Sequence, residues 1–122
     1  MGFQIGMDLV ELMEMERSLE MHDDRFLDRV YTPAERDRAR RHPRRLAAGF
    51  AAKEATMKAL GRTDEAIGWR SVEVIGDGRS PSVVLRGDAA RLARERGVVG
   101  LTLSVSCDGE LAAALAIAEV AS

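Results

Sequence analysis

Glu54 and Lys58 lie four positions apart in Phe50-Ala51-Ala52-Lys53-Glu54-Ala55-Thr56-Met57-Lys58-Ala59-Leu60-Gly61, a spacing that stacks a carboxylate and an amine on one helix face. Phe50, Ala51, Ala55, Ala59 and Leu60 make the same segment apolar round much of its girth, and charges on a partly buried helix need a partner or a ligand. A second carboxylate, Asp8, stands in Phe3-Gln4-Ile5-Gly6-Met7-Asp8-Leu9-Val10-Glu11-Leu12, where apolar residues on both sides read as a buried strand. Two carboxylates brought together from a strand and a helix suit a hard divalent cation such as Mg²⁺. A purely structural reading is open as well: Asp8 caps the following helix and Glu54 pairs with a neighbouring arginine.

Positioning these groups requires a strand over about residues 3–11 and a long helix over about residues 44–60. Between them, Leu12, Met15, Leu19 and Met21 have a roughly helical spacing. Thr32-Pro33-Ala34-Glu35 is a capping box with proline at the first helical position, so a helix begins there. Pro43 breaks it and opens the long helix, which ends near Gly61. The second half is richer in strands. Trp69 to Ile75 and Ser82 to Arg86 form a hairpin around Gly76-Asp77-Gly78-Arg79-Ser80, and Gly87 to Gly97 is a short amphipathic helix. Leu101 to Ser106 alternates, Asp108-Gly109 suits a two-residue type I′ turn, and Leu111 to Val120 returns as a buried strand. The expected fold is a single α+β domain over residues 1–122, with an antiparallel sheet from the second-half hairpins packed on the long helix.

With 46% hydrophobic and 31% charged residues and a net charge of −2, the composition is that of an ordinary soluble chain. It favours neither nucleic acid nor an anionic membrane as partner. One cysteine makes no internal disulfide, and no run of the sequence reads as a signal peptide or a membrane span, so the expected location is cytoplasmic. Within this near-neutral total the charge is segregated: Glu11, Glu14, Glu16, Glu20, Asp23 and Asp24 precede Arg36, Arg38, Arg40, Arg41, Arg44 and Arg45. The arginines either hold phosphates through forked contacts or pair with the acidic stretch. Cys107, at a strand end, is either a nucleophile or a small core residue. Trp69 and the six methionines read as core or interface packing.

Gly6-Met7-Asp8-Leu9-Val10-Glu11 and Phe50-Ala51-Ala52-Lys53-Glu54-Ala55 resemble the two signature blocks of the holo-acyl-carrier-protein synthase type of 4′-phosphopantetheinyl transferase. Arg25 to Glu35 is similar to that family's "RFxxRvfTpaE" segment, and Trp69 to Val74 to its tryptophan-led strand. The resemblance implies transfer of phosphopantetheine from coenzyme A to a serine of an acyl or peptidyl carrier protein, by a homotrimer with active sites between protomers. It assigns catalysis to Asp8, Glu54 and Lys58, Mg²⁺ to Asp8 and Glu54, and coenzyme contacts to Lys58, Gly61, Arg45, Pro81, Ser106 and Cys107. Cys107 stands where the family's "SxSH" strand has a coenzyme-contacting histidine, Gly49 where it has an arginine, and Gly61-Arg62-Thr63-Asp64 where it has "GTG". Met13 and Glu14 replace the basic residues usually offered to the carrier, leaving Arg17 as the nearest positive charge. These departures weaken phosphate recognition unless Arg41, Arg44 or Arg45 restores a partner. They also admit a second function, a transferase-like scaffold that binds or acts on a carrier-tethered acyl chain without transfer.

Overall fold

The computed structural model describes residues 1–61, 67–76 and 78–122. The Asp23 side chain, Arg62, Thr63 and Asp64 after the long helix, and Asp77 in the expected hairpin turn lie outside the described residues. Strand β1 (Gly2–Glu11) runs directly into α1 (Leu12–Val30), followed by α2 (Pro33–Ala39) and α3 (Pro43–Ala59). The β2 (Val72–Ile75) and β3 (Ser82–Leu85) hairpin comes next, then α4 (Gly87–Glu95), then the hairpin of β4 (Val98–Asp108) and β5 (Leu111–Val120). Among the described residues no helix is long and apolar enough to cross a membrane.

Local chemistry explains the helix boundaries. Thr32 Oγ1 accepts from the Glu35 amide while Glu35 Oε1 accepts from the Thr32 amide, so the capping box closes at both ends. Pro43 occupies the start of α3, where its missing N–H costs nothing, and Gly61 at φ +76 terminates the helix in the left-handed conformation.

The sheet differs from the expectation. Strands β1, β5 and β4 form one antiparallel sheet with β5 central, while β2 and β3 pair separately. The reason is length: β1 matches β5 along its whole course from Gly2 opposite Val120 to Glu11 opposite Leu111, whereas β2 and β3 have only 4 residues each. The N-terminal strand is therefore an edge strand rather than one buried on both faces. Because side chains alternate, Gly6, Asp8 and Val10 turn towards α3, and Phe3, Ile5, Met7 and Leu9 turn outward and are exposed.

Two smaller corrections have equally local causes. Trp69–Ser71 is a 3₁₀ turn rather than strand, since the Gly68 carbonyl accepts from both the Ser71 amide and its hydroxyl. The last hairpin turns at Gly109 and Glu110, one position later than expected, because Asp108 pairs with Leu111; glycine at φ +59 in the first loop position is the type II′ arrangement.

The core lies where α3 crosses the inward face of the sheet. Ala51, Ala52, Ala55 and Ala59 meet Ala112, Ala114, Ala116 and Ala118, all buried. A row of rings, Phe26 to Phe50 to Trp69, flanks the helix, with 4.8 Å between the Phe50 and Trp69 centroids. At Gly6 the strand and helix are closer than any other residue permits: a Cβ there would collide with the Ala55 carbonyl oxygen and lie 2.6 Å from the Ala59 nitrogen. Gly6→Ala is expected to lower unfolding free energy by more than about 2 kcal/mol in urea titration, since both obstacles are backbone. Unchanged stability would contradict so tight a seam.

Candidate active site

Gly6 lies against Ala55 and Ala59, and Gln4 lies beside Gly61, so β1 runs opposite in direction to α3. Asp8, one pleat beyond Gly6, meets α3 through Lys58, and Glu54 is one helical turn before Lys58 on the same face. Lys58 Nζ completes the group: it donates to the Met7 carbonyl at 3.0 Å and sits 3.3 Å from Asp8 Oδ1. The Asp8 side chain is 18% exposed and that of Lys58 45%, while Glu54 is half-buried, so all three reach solvent. Among the described residues no cluster of three or more potential ligands forms an all-protein metal cage. Two solvent-reaching carboxylates nevertheless fit Mg²⁺, which keeps several waters and binds phosphate oxygens alongside one or two carboxylates.

The other candidate residues lie elsewhere. A cavity of about 370 Å³ opens between α2, the first half of α3, the β2–β3 connection and the end of β4. Arg45, Pro81 and Cys107 line it, together with Gly49. Asp8, Glu54, Lys58, Gly61 and Ser106 do not. Ser106 points to the outer face of the sheet, one alternation away from Cys107, and Gly61 faces the Arg96 guanidinium at the far end of α3. Gly49 and Glu54 are separated by roughly 140° round the helix, and Arg45 and Lys58 by the same angle. Within one chain, the carboxylate–lysine group and the cavity thus occupy opposite flanks of α3.

Sequence reasoning passed over the cavity floor. Glu35 and Tyr31 line it, and both are buried. Glu35 Oε1 lies 2.8 Å from Lys53 Nζ, and its Oε2 accepts from the Val74 amide at 2.8 Å. Lys53 is wholly buried and also donates to the carbonyls of Trp69 and Val72, at 3.0 and 2.6 Å. Desolvation holds its pKa below the ordinary lysine range, opposed by the attraction of Glu35. Tyr31 donates to the Leu46 carbonyl at 2.7 Å, and burial pushes its phenol upward. Next to this pair, Glu73 accepts from Thr32 and Arg86, at 2.6 Å each, which lowers its pKa. The signal available in the sequence was the capping glutamate followed by a lysine inside an alanine-rich helix.

The arginine run is divided between both readings. Arg36 pairs with Asp28, and Arg41 lies 2.7 Å from Asp24, so these two are tied to the acidic α1. Arg38, Arg44 and Arg45 instead line the cavity and, among the described residues, donate only to carbonyls, those of Val74, Gly109 and Arg38 respectively. On α1, Arg17 turns back to Met13, with its Nη2 3.3 Å from the sulfur.

A family model described as the 4′-phosphopantetheinyl transferase superfamily matches residues 4–116. The holo-[acyl-carrier-protein] synthase of Desulforudis audaxviator is 48% identical over 118 residues, covering 93% of this chain and 90% of that protein. That of Moorella thermoacetica is 44% identical over 120 residues, covering 95% and 93%. The structure of the Chronobacterium ammoniagenes ACPS–CoA complex superposes with a TM-score of 0.86 at 30% identity, covering 100% of both chains.

Lys53→Met is expected to cost about 3–5 kcal/mol, because it strands the Glu35 carboxylate in the interior. Adding Glu35→Gln, which removes the charge and keeps an acceptor oxygen for the backbone amides, should recover part of that loss in the same thermal or urea unfolding assay; an additive double variant would show that the two groups do not act as a pair.

Proposed function

Because the chain belongs to the 4′-phosphopantetheinyl transferase superfamily, we propose that it moves 4′-phosphopantetheine from coenzyme A to a serine of an acyl carrier protein. The observation that carries this reading is the 3.3 Å contact of Lys58 with Asp8, with Glu54 one helical turn before Lys58 on the same face of α3. It also favours transfer over a scaffold that merely binds the carrier, which has no use for such a group. Asp8 and Glu54 would hold Mg²⁺, which when bound neutralises charge on the pyrophosphate oxygens. Lys58 adds a second, fixed positive charge to the same oxygens. Glu54 takes the proton of the attacking serine; the serine oxygen bonds to the β-phosphorus as the bond to the leaving phosphate oxygen breaks. The products are phosphopantetheinylated serine and 3′,5′-adenosine bisphosphate.

The cavity on the other flank suits the nucleotide end of coenzyme A, and the opposed flanks of α3 support a site shared between two chains. A ligand touching both flanks receives the cavity from one copy and Asp8, Glu54 and Lys58 from the next. The means of association is the outer face of the sheet, where Phe3, Ile5, Met7 and Leu9 are 66%, 64%, 59% and 59% exposed and adjoin Leu111, Leu115 and Ile117. So continuous an apolar face on a small chain marks an interface. A trimer closes such a head-to-tail arrangement.

Intact-mass measurement of an apo acyl carrier protein incubated with the chain, coenzyme A and MgCl₂ should show one phosphopantetheine added, and chelation of the metal should stop it. Glu54→Gln is expected to slow the reaction about 10²–10⁴-fold with an unchanged melting temperature; a carrier left unmodified by the unsubstituted protein refutes transfer. In sedimentation velocity the protein should run as a trimer, and Ile5→Lys with Leu115→Lys as an inactive monomer. A fully active monomer would refute the shared site.

A further inference from the structure

One face of α1 carries Glu16, Glu20, Asp24 and Asp28, each four positions after the last and so stacked along the helix. Like charges at that spacing repel, and the fold relieves only the second half of the series. Asp24 meets Arg41 at 2.7 Å and Asp28 pairs with Arg36, both arginines coming from outside α1. Glu16 and Glu20 are exposed and form no ion pair among the described residues. Arg17, the cation nearest to them in sequence, rests with its Nη2 3.3 Å from the Met13 sulfur instead. Met13, three positions before Glu16 on the same face, is exposed as well. The first half of α1 is therefore an unpartnered helix face, with an apolar contact point and two carboxylates whose counterparts further along the same face are each met by an arginine.

This face also has a fixed place beside the reaction. α1 follows β1 without a break, and its Leu12 amide donates to the Glu110 carbonyl at 2.9 Å, which fastens its start to the β4–β5 turn. Leu12 stands four residues after Asp8, about 13 Å of extended chain. A protein that presents a serine to Asp8 and Lys58 through an interface of standard size covers about 800 Å² of this chain, a disc of about 16 Å radius. The entry to α1 falls inside that disc, and Glu16, one turn further on, at its rim. We infer that the first half of α1 docks a carrier protein whose contact patch is cationic. Its lysine or arginine side chains meet Glu16 and Glu20 as Arg41 and Arg36 meet Asp24 and Asp28, and Met13 supplies the apolar contact. This rests on the transferase reading above. Charges at the rim of an interface act on encounter and on the choice of partner, and like charges set face to face exclude the wrong one, so an acidic carrier is the disfavoured substrate.

Rates of modification, read by intact mass with coenzyme A and MgCl₂, test this on two forms of one apo acyl carrier protein. One form is acidic around its serine; in the other those acidic residues are lysine, and circular dichroism checks that both are folded. The unsubstituted protein should modify the lysine form with a kcat/KM about tenfold higher, the difference lying in KM and shrinking as salt is raised. Glu16→Gln with Glu20→Gln should bring the ratio near one, and Glu16→Lys with Glu20→Lys should reverse it. Neither pair of substitutions should lower the melting temperature, since the replaced carboxylates have no ion-pair partner to lose. Equal rates on the two forms, a preference for the acidic one, or a ratio that both double variants leave unaltered overturns the inference while leaving the transferase reading intact. Transfer to neither form by the unsubstituted protein overturns both.

Discussion

The close approach of β1 to α3 at Gly6 governs how everything else is placed. With no side chain at that position and alanines at Ala55 and Ala59, strand and helix come into backbone contact, and the sheet contributes a facing row of alanines from β5. Small side chains bury little apolar area each, so this seam depends on proximity and dispersion along its whole length rather than on a few large groups. Its tightness sets the rotation of α3. With the alanine stripe committed to the sheet, Glu54 and Lys58 are delivered to the β1 flank, and Arg45 and Gly49 to the opposite one.

A buried ion pair secures the same helix from its other side. Lys53 reaches from α3 to Glu35 of α2 and to the carbonyls at the entry to β2, linking three elements that share no alanine seam. Burying two charges is costly, and what offsets it here is saturation: among the described residues every buried side-chain nitrogen and oxygen has a partner. The consequence for function is indirect but definite. Glu35 lies on the floor of the cavity, and Lys53 beneath it neutralises its charge and leaves the walls positive.

Charge is then used in two ways along a single stretch of sequence. Arg36 and Arg41 spend their charge on α1, fastening that helix to the α2–α3 turn, where Arg40 and Arg41 adopt left-handed φ values of 50 and 59. Arg38, Arg44 and Arg45 keep theirs for the cavity. Within α2 the two positions between Arg36 and Arg38 turn them about 200° apart round the helix, and the reversal at Arg40 and Arg41 then brings Arg44 and Arg45 of α3 to the side that Arg38 faces.

By itself the sequence determined the helices, the capping box at Thr32 and Glu35, and the kinship carried by Asp8, Lys53, Glu54 and Lys58, because these depend on local spacing and on residue types chosen for chemistry. The helix limits at Pro43 and Gly61 were equally local. Tertiary structure decided what local pattern cannot: that β1 is an edge strand, that Ser106 faces away from Cys107, and that the arginine run divides. It also decided that Asp8, Glu54 and Lys58 stand apart from Arg45, Pro81 and Cys107. A one-dimensional motif states which groups are needed but not which flank of a helix each will occupy, and that depends on which face the alanine seam buries.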